Sequence, residues 1–134
     1  MTTSIEKDEL ATELQELYLK GKEWISDLDF QEDEIKFLKM LFGINCPLLV
    51  KHNEFEEISD TLIEAAKLEG NRLRLKKDIC DFMNLLSRLI KTIDPNIDTN
   101  LIQWNSQLEA DLKLNFDMVR AFKKHVFNLA SEPA

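Results

Sequence analysis

The chain has 134 residues, 44% of them apolar and 31% charged, with only three glycines and three prolines. That is one domain's worth of chain, and so few breakers exclude a many-stranded sandwich, which needs a turn every dozen residues or so. A net charge of −8 (17 basic against 25 acidic side chains) argues against sequence-independent nucleic-acid binding and against docking on an anionic membrane.

The N-terminus opens with Thr3 and Glu6 at capping-box spacing, acidic residues filling the first turns. No apolar h-region precedes them, so no signal peptide is expected. Leu10, Leu14, Leu17, Gly21, Trp24 and Leu28 then step by three and four, the spacing of a helix-packing seam, and Gln31, Ile35, Leu38 and Phe42 continue it in phase. Asp29 and Glu32 form a second capping-box pair that could restart the helix. Unbroken phase favours one helix over about 4–43.

Gly43-Ile-Asn-Cys-Pro47 reads as a helix stop, glycine near the C-terminus and proline shortly after. A second helical region is expected over about 48–93, closed by Asp94-Pro95-Asn96. Within it, Glu69-Gly70-Asn71 is the uncertain joint, because glycine costs about 1 kcal/mol in a helix interior relative to alanine. A third helix, capped by Asp98 or Thr99, runs over about 99–130. Its seam is Leu101, Leu108, Leu112, Val119, Phe122, Val126 and Leu129, with Asn105 and Asn115 at two seam positions. The fold class is therefore all-α: an antiparallel up-and-down bundle of three long helices, or four if the second breaks at Gly70. Length matching favours three.

Charge is unevenly spread. Residues 1–45 carry 5 basic and 11 acidic side chains, residues 46–66 carry 1 and 5, and residues 67–91 carry 7 and 3. An antiparallel return lays the basic stretch beside the acidic first helix. Gln31, Asn105 and Asn115 suit buried polar positions that fix register.

Chemistry-bearing residues are sparse. Cys46 and Cys80 match neither a zinc spacing nor a CxxC pair, and fit reduced thiols in a cytoplasmic protein. A ferritin-like centre needs Glu-x-x-His on two helices, and the chain has none. His52 and Glu56, four apart, are half of a metal motif, and His125 near a helix C-terminus suits the macrodipole. The acidic runs 32–34 and 54–57 fan around a solvated face. Arg72, Arg74, Lys76 and Lys77 lack a glycine-rich phosphate loop and suit intramolecular pairing. No catalytic residue, cofactor or metal is expected, nor a small-molecule substrate. The stretch from Phe37 to Val50, broken by Lys39, Gly43, Asn45 and Pro47, cannot span a bilayer.

What stands out is apolar excess. Residues 37–50 wrap most of a helix circumference with apolar side chains, where packing on bundle neighbours asks for an arc nearer 100°. Such excess marks deeper burial or a partner surface. The expected surface is Phe37, Met40, Leu41, Phe42, Leu48, Leu49 and Val50, presented to a second copy or another protein. The competing expectation is that Phe122, Val126 and Phe127 return to the same end and bury it. Two other readings are a hemerythrin- or ferritin-like metal bundle and a carrier of a small hydrophobic ligand, which would need a continuous internal cavity.

Overall fold

A computed structural model describes residues 4–92 and 99–131, with side chains from residue 9 to 91 and 100 to 130. Three α-helices make up the described chain: α1 (Ser4–Lys51), α2 (Phe55–Thr92) and α3 (Thr99–Ser131). Thr3, the stop expected at Asp94-Pro95-Asn96 and the cap expected at Asp98 lie outside the described residues. No strand occurs among the residues described, and α2 runs unbroken through Gly70, so the bundle has three helices, not four.

Contacts between helices set their directions. On α1, Asp29 meets Lys76 of α2 at 2.7 Å and Glu32 meets Arg72 at 3.6 Å, while Gly21 faces Met83. Numbers rise on one helix as they fall on the other, so the two are antiparallel, and the basic part of α2 does lie along the acidic first helix. Lys20 pairs with Glu109 of α3 and Glu34 with Lys123 at 3.9 Å, so α1 and α3 are parallel. The topology is up, down, up.

The expected stop at 43–47 does not occur. α1 carries Pro47 inside it and ends eight residues later than Gly43, at Lys51, and α2 starts at Phe55 rather than at Leu48. Proline removes a helical donor and costs about 3 kcal/mol or more in a helix interior. Continuing the helix keeps Phe42 and Leu49, on either side of the proline, in the core at 3% and 7% exposure. Burying two such side chains contributes about 1.5–3 kcal/mol each, enough to offset the proline. Asp29 and Glu32 likewise cap nothing; both make ion pairs on the surface of a continuous helix.

The chain instead reverses at His52-Asn53-Glu54. Asn53 has φ 61, and among the described residues it is the one non-glycine with positive φ. Its N–H donates to the Val50 carbonyl at 3.0 Å, and the Glu54 N–H reaches back to the Leu49 carbonyl at 2.9 Å. These two bonds define a Schellman cap, with asparagine in the left-handed position that glycine usually takes. The Glu54 carbonyl then accepts the first bond of α2, from Ile58 N–H at 3.2 Å.

Two apolar clusters fill the interior. One, towards the start of α1, gathers Leu14, Leu28, Leu75, Ile79, Phe82, Leu86, Leu108 and Leu112. The other, at the hairpin end, gathers Ile35, Leu38, Phe42, Leu49, Leu68, Val119, Phe122 and Val126. Between them each helix contributes one buried polar residue: Gln31 from α1, Arg72 from α2 and Asn115 from α3. Asn115 Nδ2 donates to Gln31 Oε1 at 2.7 Å. The Arg72 side chain, 4% exposed, stands 3.6 Å from both Glu32 and Glu69 and 3.5 Å from the Leu28 carbonyl. This polar layer defines the register of the three helices, since sliding any one of them by a turn strands a buried amide or guanidinium.

Candidate partner-binding surface

Burial divides the apolar residues of the second half of α1 into two opposite faces. Phe42 and Leu49 belong to the hairpin-end core, and Leu41 packs partly against it, so these three of the expected surface residues serve the interior. Phe122 and Val126 of α3 join the same core. Phe37, Met40 and Leu48 remain outside, at 49%, 58% and 41% exposure. Val50 is also exposed, but two residues on from Leu48 places it about 200° around the helix, away from the others. Ile44, absent from the expected set, is the most exposed of the group at 68%.

Phe37, Met40, Ile44 and Leu48 therefore form one row, at spacings of three and four. At about 100° per residue the row lies well away from both packed directions of α1. Asp29, Glu32 and Gly21 mark the side that meets α2; Lys20, Gln31 and Glu34 mark the side that meets α3. Neither helix covers the row. Towards the N-terminus the same outer face carries Phe30 and Leu19, also exposed, but there Glu23, Asp27 and Asp33 interleave. Phe55, Leu62, Ile63 and Phe127 add exposed apolar groups at the same end of the bundle. The signal for Ile44 was in the sequence: it is seven residues from Phe37 and four from Met40 and Leu48.

Electrostatics sets this stretch apart from the rest of the acidic chain. Between Glu34 and Glu54 there is no carboxylate, and Lys36, Lys39 and Lys51 are the charged residues. Lys36 bonds Glu32 one turn back at 3.1 Å. That hydrogen bond, the lysine's charge and the Arg72 guanidinium together hold the Glu32 carboxyl below its ordinary value, against a small opposing effect of burial.

The other candidate sites do not assemble. His52 sits in the turn and Glu56 in the first turn of α2, so the two do not share a helix face. His125 instead meets Glu57 at 2.7 Å, with the buried Thr61 hydroxyl 3.2 Å from the same ring nitrogen. Among the described residues no group of three or more His, Cys, Asp or Glu side chains is placed to hold a metal ion. Both cysteines are free, half-buried and on different helices. Two grooves flank the polar layer. One of about 320 Å³ lies between α1 and α3, with Gln31 at its base and Phe30, Phe116, Arg120 and Lys123 around it. The other, of about 370 Å³, lies between α2 and α3 with Asn115 at its base. Both open to solvent and carry charged rims. Among the described residues no helix is long and apolar enough to cross a membrane.

Sequence reasoning missed Arg72 as an interior residue. It sits in a basic run, Arg72 to Lys77, whose other members face outward or pair at the surface. The available signal was its phase: it falls four residues after Leu68 and three before Leu75, on the seam of α2. Asn105 is half-buried near the start of α3 and lies away from the layer.

Among the described residues the fold is an antiparallel three-helix bundle with an uncovered apolar face on α1. No protein-family model, curated protein or solved structure matches the chain.

Proposed function

We propose that this protein is a non-catalytic helical interaction module, whose working surface is the outer face of α1 at the hairpin end. The observation that carries the reading is the row Phe37, Met40, Ile44 and Leu48, exposed on a helix whose opposite face is already fully packed. Leaving four large apolar side chains in water forgoes several kcal/mol that docking them recovers. Its partner is a protein surface with an apolar seam of its own, since the row runs along a single exposed helix face. The two free thiols suit a reducing compartment and support a cytoplasmic setting.

A photo-crosslinking amino acid placed at Ile44, in cells, tests this against the same group at Lys113 on α3. The reading expects a discrete adduct from position 44 and none from position 113. Equal or absent labelling at both positions contradicts it.

A further inference from the structure

We infer that the occupant of this face is a second copy of the chain, docked antiparallel on a two-fold axis that passes near residues 42 and 43. The inference rests on the reading of α1 as a binding surface and adds the partner and its register. Its basis is the arrangement of charge around the row.

In an antiparallel pair of identical helices, a residue on one flank meets residues on the same flank of the partner, and paired residue numbers have a constant sum. Setting Phe37 against Leu48 of the partner also places Met40 and Leu41 against its Ile44. Apolar groups then meet apolar groups along the whole row. The same register brings Asp33 to within one residue of the position opposite Lys51 of the other copy, at both ends of the contact and within reach of a lysine side chain, and these two residues lie on the same flank of the row. Asp33 and Lys51 are exposed, and among the described residues neither has an ion-pair partner in its own chain.

A parallel pairing lacks this match, since it sets Asp33 on Asp33 and Lys51 on Lys51. Repulsion between two acidic chains is also least here, because the stretch from 35 to 53 carries lysines and no carboxylate. From Asp33 to Lys51 the contact is about 27 Å long. One helix face per protomer falls in the small class of interface, below about 1,200 Å² in total, which gives a concentration-dependent equilibrium rather than an obligate dimer.

Sedimentation velocity over about 1 to 500 µM, the range where small interfaces titrate, tests the inference on the full chain. The expected result is a rise from the 15.6 kDa monomer towards twice that mass. Ile44→Glu should abolish the rise with unchanged helical circular dichroism, because position 44 is exposed. Asp33→Lys and Lys51→Asp should each weaken association at least threefold, and the double variant Asp33→Lys/Lys51→Asp should restore it. A dimer broken by Ile44→Glu but not rescued by the double swap overturns the register while leaving the surface in place. A dimer indifferent to Ile44→Glu overturns both the inference and the proposed surface. A strict monomer across the range overturns self-docking alone, and the crosslink from position 44 then reports on a different protein.

Discussion

Asn115 of α3 donates its side-chain amide to Gln31 of α1 at 2.7 Å in the middle of the bundle, with both residues almost fully buried. The pair separates two apolar cores, and the remaining atoms Gln31 Nε2 and Asn115 Oδ1 have no hydrogen-bond partner within the protein. Replacing only one member strands the other amide and should cost about 1–3 kcal/mol. Replacing both with leucine should be near neutral or stabilising, at the expense of a unique register. Urea unfolding of Gln31→Leu, Asn115→Leu and the double variant measures this. Additive losses in the double variant would show that the amides do not act as a pair.

Arg72 gives the same layer its charge. Its carboxylate partners Glu32 and Glu69 are partly exposed, while the guanidinium is not. Arg72→Met lets both carboxylates rehydrate and should change stability by no more than about 1 kcal/mol. Glu32→Gln/Glu69→Gln leaves the buried guanidinium without an opposite charge and should lower the unfolding midpoint more than Arg72→Met does. The order of the two midpoints in thermal unfolding decides the matter, and the reverse order contradicts a buried Arg72.

Glu32 also predicts a pH effect. Its carboxyl is held below the ordinary range first by the hydrogen bond from Lys36, then by that lysine's charge and by Arg72. A depressed folded-state value means the contribution to stability is complete above the unfolded value, about 4.3, and is lost as the pH falls through the lowered folded value. Carboxyl-detected NMR titration should find Glu32 among the last glutamates to protonate. Lys36→Ala should move it upward. No movement would remove Lys36 as the main cause.

Backbone positions separate by sign. A methyl group added at Gly43 or Gly70 meets nothing within 4 Å, so alanine at either should stabilise by up to about 1 kcal/mol through helix propensity. At Gly21 the added Cβ would stand 2.7 Å from Met83 Cγ, and Gly21→Leu should destabilise by about 1–3 kcal/mol through overpacking. Asn53→Gly should hold or raise stability, whereas Asn53→Val should lower it by about 1–2 kcal/mol, since a β-branched residue resists positive φ. Chemical denaturation of the five variants checks the pattern.

How far the sequence is readable follows from which forces act locally. Helical phase is a local property, so the seams of α1 and α3 were legible residue by residue, and with them the number of helices once Gly70 is seen as tolerated. The turn was not. Gly43 and Pro47 carry a strong local stop signal, and the burial of Phe42 and Leu49 against α2 and α3, which outweighs it, is tertiary. Asn53, which makes the actual reversal, is one residue in the left-handed region and has no periodic signature. Apolar excess in 37–50 was visible, but sorting it into core and outer face requires knowing where α2 and α3 lie. Hence the sequence leaves Phe42 on both the seam and the expected surface, whereas the structure buries Phe42 and Leu49 and exposes Ile44. Arg72 was hidden among surface cations because composition outweighed phase.

Methyl NMR of the full chain at increasing concentration tests the central claim most directly, that the outer face of α1 exists to be covered. The methyl signals of Met40, Ile44 and Leu48 should shift together and saturate, while those of Leu75, Ile79 and Leu86, deep in the other core, stay fixed. Signals from α1 that do not move with concentration or with any added partner, or shifts spread evenly over all three helices, would contradict it.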